Sequence, residues 1–186
     1  MDPPLKRFSD TEEGMGDACM LGYRWCLLLE GGGGGDRPCA VFDVDSTLLF
    51  GKGGKDTIPI HQVCQLYVTL MQRGISVFIV TARAEEGRQY TIEQLRSIGI
   101  DSCEHLYMHP HACTSHREAA SQKKKAREKI EARGYTILLN AGDSWSDHFR
   151  KDEMEVRRKT SEEQIFTYVD TDNVFHIKLP TRRRLD

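Results

Sequence analysis

A chain of 186 residues can bury one substantial core, and its 26 Lys+Arg against 28 Asp+Glu leave no global field that would draw it to nucleic acid or an anionic membrane. Its six cysteines contain no CxxC pair, which fits free thiols in a reducing compartment better than a disulfide scaffold. The apolar stretch "CMLGYRWCLLL" (19–29) is broken by Arg24, follows acidic residues and is too short to span a bilayer, so the expectation is a cytoplasmic protein with no signal peptide and no membrane partner.

Residues 1–36 read as a flexible N-terminal segment closed by the Gly-rich hinge "GGGGGD", and the sequence does not decide whether Trp25 and its neighbouring leucines form an edge strand. The folded domain is expected over 37–180, followed by a short basic tail at 181–186. "CAVFDV" (39–44) is a continuous apolar run, as in a strand covered on both faces. In "TIPIHQVCQLYVTLMQRG" (57–74), Ile60, Val63, Cys64, Tyr67, Leu70 and Met71 share one helical face, with Pro59 near the start and Gly74 at the stop. "ISVFIV" (75–80) is the next strand, and "EEGRQYTIEQLRSIG" (85–99) the next helix. A short strand around "HLYM" (105–108), a basic helix at 121–134, a strand "TILLNAGD" (136–143) and a last strand "VFHIKL" (174–179) complete the pattern. Strands alternating with helices predict an α/β fold, a three-layer Rossmann-like arrangement around a mainly parallel sheet. The interval between Thr47 and Thr81 leaves no room for a large cap domain.

Ligands of such sheets bind beyond the carboxyl ends of the strands, so the polar residues there are the candidates. They are Asp43, Asp45 and Thr47 after the first strand, Thr81 and Arg83 after the second, the lysines 123–125 in the basic helix, and Asp143 and Asp147 after "TILLNAG". Two carboxylates at i, i+2 on an extended backbone point to one side and repel unless a cation joins them. Asp143 and Asp147, at i, i+4, can complete such a site, and hard oxygen donors favour Mg2+.

The motifs "DVDST", "VFIVTAR", a helix-borne lysine and "GDSWSD", in that order, resemble the haloacid dehalogenase (HAD) superfamily of phosphohydrolases. "EHLYM", "GYTILLNAGDSWSD" and "VFHIKLP" narrow the resemblance to its IIIB-type acid phosphatase branch, which includes plant vegetative storage proteins. The resemblance implies a HAD-like fold and a Mg2+-dependent phosphomonoesterase. It implies Asp43 as the nucleophile that becomes an aspartyl phosphate, Asp45 as acid and then base, and Thr81 and Lys123 as stabilisers of the transferring group. It further implies a metal held by Asp43, the Asp45 carbonyl and Asp143, with Asp147 as a ligand or just behind one, and Thr47 and Arg83 on the substrate side.

Several alternatives stay open at this level. Lys124 or Lys125 can replace Lys123, because a one-residue error in helix start turns the choice by about 100°. Asp147 can be a first-turn helix acid, and Arg83 a surface ion pair. "HPHACTSH" (109–116) invites a zinc reading, but its spacing matches no common zinc signature, so loop histidines are the expectation. The expected partner is a small-molecule phosphomonoester; a homo-oligomer would add cover to an open site, and the basic runs "RRK" and "RRRLD" are too short to argue for nucleic acid. Other readings are a catalytically weak phospho-ligand-binding or storage protein, and a polynucleotide-end or protein phosphatase.

Overall fold

In the computed structural model, which describes residues 5–30, 37–51, 57–148 and 164–181, the central strand β2 (Arg37–Phe42) divides its side chains between two cores. Ala40 and Phe42 join Val63, Tyr67 and Leu70 on one face, while Cys39 and Val41 join Phe78, Ala126 and Ile130 on the other. Burial on both faces is why this stretch is apolar without alternation. With β1 (Lys6–Phe8), β3 (Ser76–Ala84), β4 (His105–His109), β5 (Tyr135–Gly142), β6 (Ile165–Val169) and β7 (Phe175–Lys178), it builds a seven-stranded sheet of order β1-β6-β7-β5-β2-β3-β4. From β7 to β4 the pairs are parallel; β6 and β1 extend the β7 edge by antiparallel pairing. The mainly parallel α/β expectation therefore holds.

Helix α2 (His61–Gln72) buries Val63, Cys64, Tyr67 and Leu70 as its periodicity predicts, but Met71 is exposed. It stops at Gly74, whose φ of +86° lets its own amide and that of Ile75 close on the Met71 and Leu70 carbonyls. Helix α3 (Arg88–Ser97) is preceded by a single 3-10 turn over Glu85–Gly87. Helix α4 (His116–Ala132) begins five residues before the predicted Ser121, capped by Ser115, whose hydroxyl accepts the Glu118 amide at 3.1 Å. That start fixes the helical phase, and the buried stripe is Ala119, Lys123, Ala126, Arg127 and Ile130.

The N-terminal segment differs from the expectation of a flexible leader. Residues Glu12–Glu30 form α1, which buries Met15, Ala18, Cys19, Gly22 and Cys26 and packs on β5, β7 and α2. A Cβ on Gly22 would sit 2.8 Å from the Leu139 methyl group and 3.0 Å from that of Ile177, so the glycine lets the helix lie close on the sheet without moving those side chains. Trp25 donates its indole N–H to the Asn173 carbonyl at 3.0 Å, and is thus in neither an edge strand nor a loose tail. The "GGGGGD" hinge, the "RRK" run and residues 182–186 lie outside the described residues. Among the described residues no helix is long and apolar enough to cross a membrane.

Chain order carries the sheet from β2 outward to β3 and β4, then back across β2 to β5. The reversal opens a crevice at the carboxyl ends of β2 and β5, the position where α/β sheets bind ligands. Asp43 and Asp143 are the first residues after those two strands.

Candidate active site

Asp43 is held at the tip of β2 by its amide, which donates to the Ala141 carbonyl of β5 at 3.0 Å. Its carboxylate is buried and takes an ion pair from Lys123 Nζ at 3.1 Å; the same ammonium pairs closely with Asp147. Ligand oxygens of Asp43, Asp143 and Asp147 all lie within 4.8 Å of one another, and all three residues are buried. The lysine triplet is thereby resolved in space: Lys123 is 3% exposed inside the cluster, whereas Lys124 is a solvated neighbour of Glu128 and Lys125 is exposed.

Burial raises the Asp43 carboxyl well above the ordinary carboxylate range, the charge of Asp147 raises it further, and Lys123 opposes both. Burial also disfavours the Lys123 ammonium, but Asp147 and Asp43 outweigh it, so its pKa is raised overall. Three buried acids around one ammonium call for additional positive charge. The donor set, all hard carboxylate oxygen, fits a divalent cation.

Asp147 has a second task. Its other oxygen accepts the Ser144 amide at 3.0 Å, closing a capping box on the 3-10 turn Trp145–Asp147. Asp147 thus both caps this turn and lies in the buried acidic cluster. Gly142 is the residue that admits this arrangement, since a Cβ there would run into the Asp147 carboxylate. Arg127, one turn beyond Lys123, donates to the Ser146 and Asp147 carbonyls and pins the same turn to α4.

The remaining predicted residues sit at the same end of the sheet in different company. Asp45 receives both forks of Arg83, Nε to Oδ2 at 2.9 Å and Nη2 to Oδ1 at 2.7 Å, and Arg83 is braced in turn by Gln94 (2.7 Å) and Thr91 (3.2 Å). In this state the guanidinium is engaged by protein. Thr81, at 1% exposure, accepts the Arg83 amide at 3.3 Å. Thr47, fully buried, donates to the Asp45 carbonyl at 3.4 Å and so braces the loop from within. Between them Ser46 adopts a left-handed φ of 55°, which lets the chain turn back under the strand tip.

Sequence reading passed over a buried relay behind the crevice. The Gly142 carbonyl can only accept, so His148 Nε2–H donates to it at 3.1 Å. Burial, and then the neighbouring His176, hold the His148 pKa well below the ordinary histidine value, so its Nδ1 accepts from His176 Nδ1–H at 3.0 Å. His176 reaches Asp170 on its far side at 2.8 Å. The chain of contacts fixes the backbone one residue before Asp143. The available signal was a histidine and a lysine, His176 and Lys178, inside an apolar strand: both are buried, and Lys178 Nζ donates to the Leu179 carbonyl while lying 5.5 Å above the Trp145 ring.

An acid-lined crevice at the switch point of a mainly parallel sheet defines this as an α/β domain of the HAD type, and comparison with known proteins agrees. Residues 50–171 match the family described as HAD superfamily, subfamily IIIB (acid phosphatase), and the chain belongs to that family. It is 28% identical over 130 residues to vegetative storage protein 1 of Arabidopsis thaliana, covering 58% of this chain and 47% of that protein. To acid phosphatase 1 of Solanum lycopersicum it is 28% identical over 134 residues, covering 60% and 52%. The chain thus spans about half the length of these relatives. The fold is also that of the class C acid phosphatase from Bacillus anthracis, with a TM-score of 0.60 at 17% identity over 92% of this chain and 79% of that one.

Proposed function

We propose that the protein is a phosphomonoester hydrolase that works through an aspartyl phosphate on Asp43 with Mg2+ as its ion. The observation that carries this reading is Lys123 buried between Asp43 and Asp147, with Asp143 alongside, at the mouth of the crevice. An ammonium in that position favours the ionised nucleophile against the burial and the neighbouring acids that oppose it, and faces the charge that develops on a transferring phosphoryl group; a donor of this kind is worth roughly 3–4 kcal/mol in the transition state.

In the first half-reaction an Asp43 oxygen forms a bond to phosphorus, the ester P–O bond breaks, and the leaving oxygen takes a proton from Asp45. In the second, water attacks phosphorus and gives its proton to Asp45, the Asp43–phosphorus bond breaks, and inorganic phosphate leaves. Thr81 and Lys123 orient and neutralise the phosphoryl oxygens. A cation held by Asp43, Asp143 and the Asp45 carbonyl, with Asp147 beside them, would supply further charge neutralisation. Asp45 must leave Arg83 and take up a proton from solvent before it serves as proton donor, and an incoming phosphate dianion is a natural competitor for that guanidinium. Substrate arrival and the release of Asp45 are thereby one event.

Release of phosphate from a small aryl phosphate tests the proposal: activity with Mg2+ should vanish with a chelator and in Asp43→Asn. Equal activity under all three conditions would remove it. Tight phosphate binding with Mg2+ but no turnover across a broad panel of esters would instead assign a storage or binding role.

A further inference from the structure

We propose that the β4–α4 connection is a second metal site, built for a borderline-soft transition ion such as Zn2+, with His109, Cys113 and Glu118 as ligands. Their candidate ligand atoms lie within 4.8 Å of one another. His109 is 3% exposed, and its Nδ1–H donates to the His111 carbonyl at 2.6 Å. That bond fixes the ring orientation and turns Nε2 toward Glu118 Oε1 at 3.6 Å, beyond hydrogen-bond range. The Glu118 side chain is 29% exposed, so the gap between the two ligand atoms is open on one side to an incoming cation.

The carboxylate is held for the purpose. Glu118 Oε2 accepts the Thr114 amide at 2.9 Å and the Thr114 hydroxyl at 2.7 Å, while Oε1 accepts His111 Nε2–H at 2.7 Å. Supporting hydrogen bonds of this kind orient metal ligands and raise their basicity. Cys113 is partly buried and its thiol donates to the Ser115 carbonyl at 3.2 Å; binding exchanges that contact for a metal–thiolate bond and passes the thiol proton to the buffer. A groove of about 690 Å³ alongside, lined by His109, His111 and Glu118 among others, gives the ion an entry and leaves a fourth position for water or for His111.

The two clusters differ in donor softness. Three carboxylates suit Mg2+; imidazole, thiolate and one carboxylate suit Zn2+ or Co2+. The spacing His-x3-Cys-x4-Glu matches no common zinc signature because the strand end, the loop and the first turn of α4 each contribute one ligand. An ion here ties the end of β4 to the helix that carries Lys123.

Co2+ titration of the full chain, stripped beforehand with a chelator, tests the site without reference to phosphatase activity. The acid crevice offers no sulfur, so a thiolate-to-cobalt charge-transfer band does not come from it, and Cys103→Ser separates Cys113 from the other partly buried thiol. One equivalent of Co2+ should raise the band, and Zn2+ should erase it. Cys113→Ser should abolish it, Glu118→Gln and Thr114→Val should weaken Co2+ binding by about tenfold or more, and Cys103→Ser should leave it intact. No band with folded protein, a band that survives Cys113→Ser, or one that is lost in Cys103→Ser would each overturn the assignment. Because Cys113, Thr114 and Glu118 are not in the core, the outcome does not depend on whether a His109 variant folds.

Discussion

Asp43 and Asp45 are separated by one valine, yet the chain places them in different electrostatic settings. Asp43 meets Lys123 with side chains 6% and 3% exposed, inside a cluster that includes two further acids. Asp45 meets Arg83 with side chains 20% and 14% exposed, in a bidentate pair at the crevice wall. The first partnership is buried between α4 and the turn after β5, where Asp147 holds Lys123 from the other side. The second lies beside the opening and can be traded for a ligand of the same charge. On the proposed mechanism a nucleophile needs fixed aim and an acid–base group needs room to move, and the two pairs would divide those requirements.

The comparison breaks most severely at Lys123. Lys123→Ala leaves Asp43 and Asp147 buried without their ammonium, and removing one partner of a buried ion pair costs about 3–5 kcal/mol. Urea unfolding should show that loss, together with a fall in turnover of roughly 10²-fold or more. Adding Asp43→Asn to Lys123→Ala should recover part of the stability, because the stranded charge is removed; purely additive losses would contradict the buried pair. Gly142→Ala comes next. Its methyl group displaces the Asp147 carboxylate, so both the Lys123 contact and the capping of the 3-10 turn shift. The expected cost is about 1–3 kcal/mol, read in the same unfolding experiment, with a drop in activity.

Much of this was legible before any coordinates. Charges at the ends of apolar runs mark the crevice in a parallel sheet, and the two runs ending in Asp43 and Asp143 are the strands that flank the reversal. Three things were not legible, each for a physical reason. Helix α1 buries Met15, Ala18, Cys19, Gly22 and Cys26, a stripe made largely of small residues, while Leu28 in the conspicuous leucine run is 75% exposed. The resemblance pointed to Lys123, but the residues alone left Lys124 and Lys125 open, since the helix start at Ser115 sets the phase that decides which one turns inward. The Asp45–Arg83 and His148–His176 pairings join residues 38 and 28 positions apart, distances over which no periodicity speaks.

The smallest expected effect on stability, and the sharpest on mechanism, belongs to Arg83→Gln. If the Asp45–Arg83 pair were structural in the manner of Lys123, its loss would cost several kcal/mol; as a partly solvated pair it should cost at most about 1 kcal/mol. Activity should nevertheless fall roughly 10- to 100-fold, the worth of one charge-assisted hydrogen bond to the phosphoryl group. The kinetic split carries the argument further. A guanidinium that only restrained Asp45 would, once removed, free the acid and leave KM unchanged or kcat raised. One that passes from Asp45 to the substrate gives a higher KM together with a lower kcat, because substrate loses an anchor and the release of Asp45 is no longer timed by its arrival. Unchanged KM with undiminished kcat in Arg83→Gln would therefore leave Arg83 a restraint on Asp45 and nothing more.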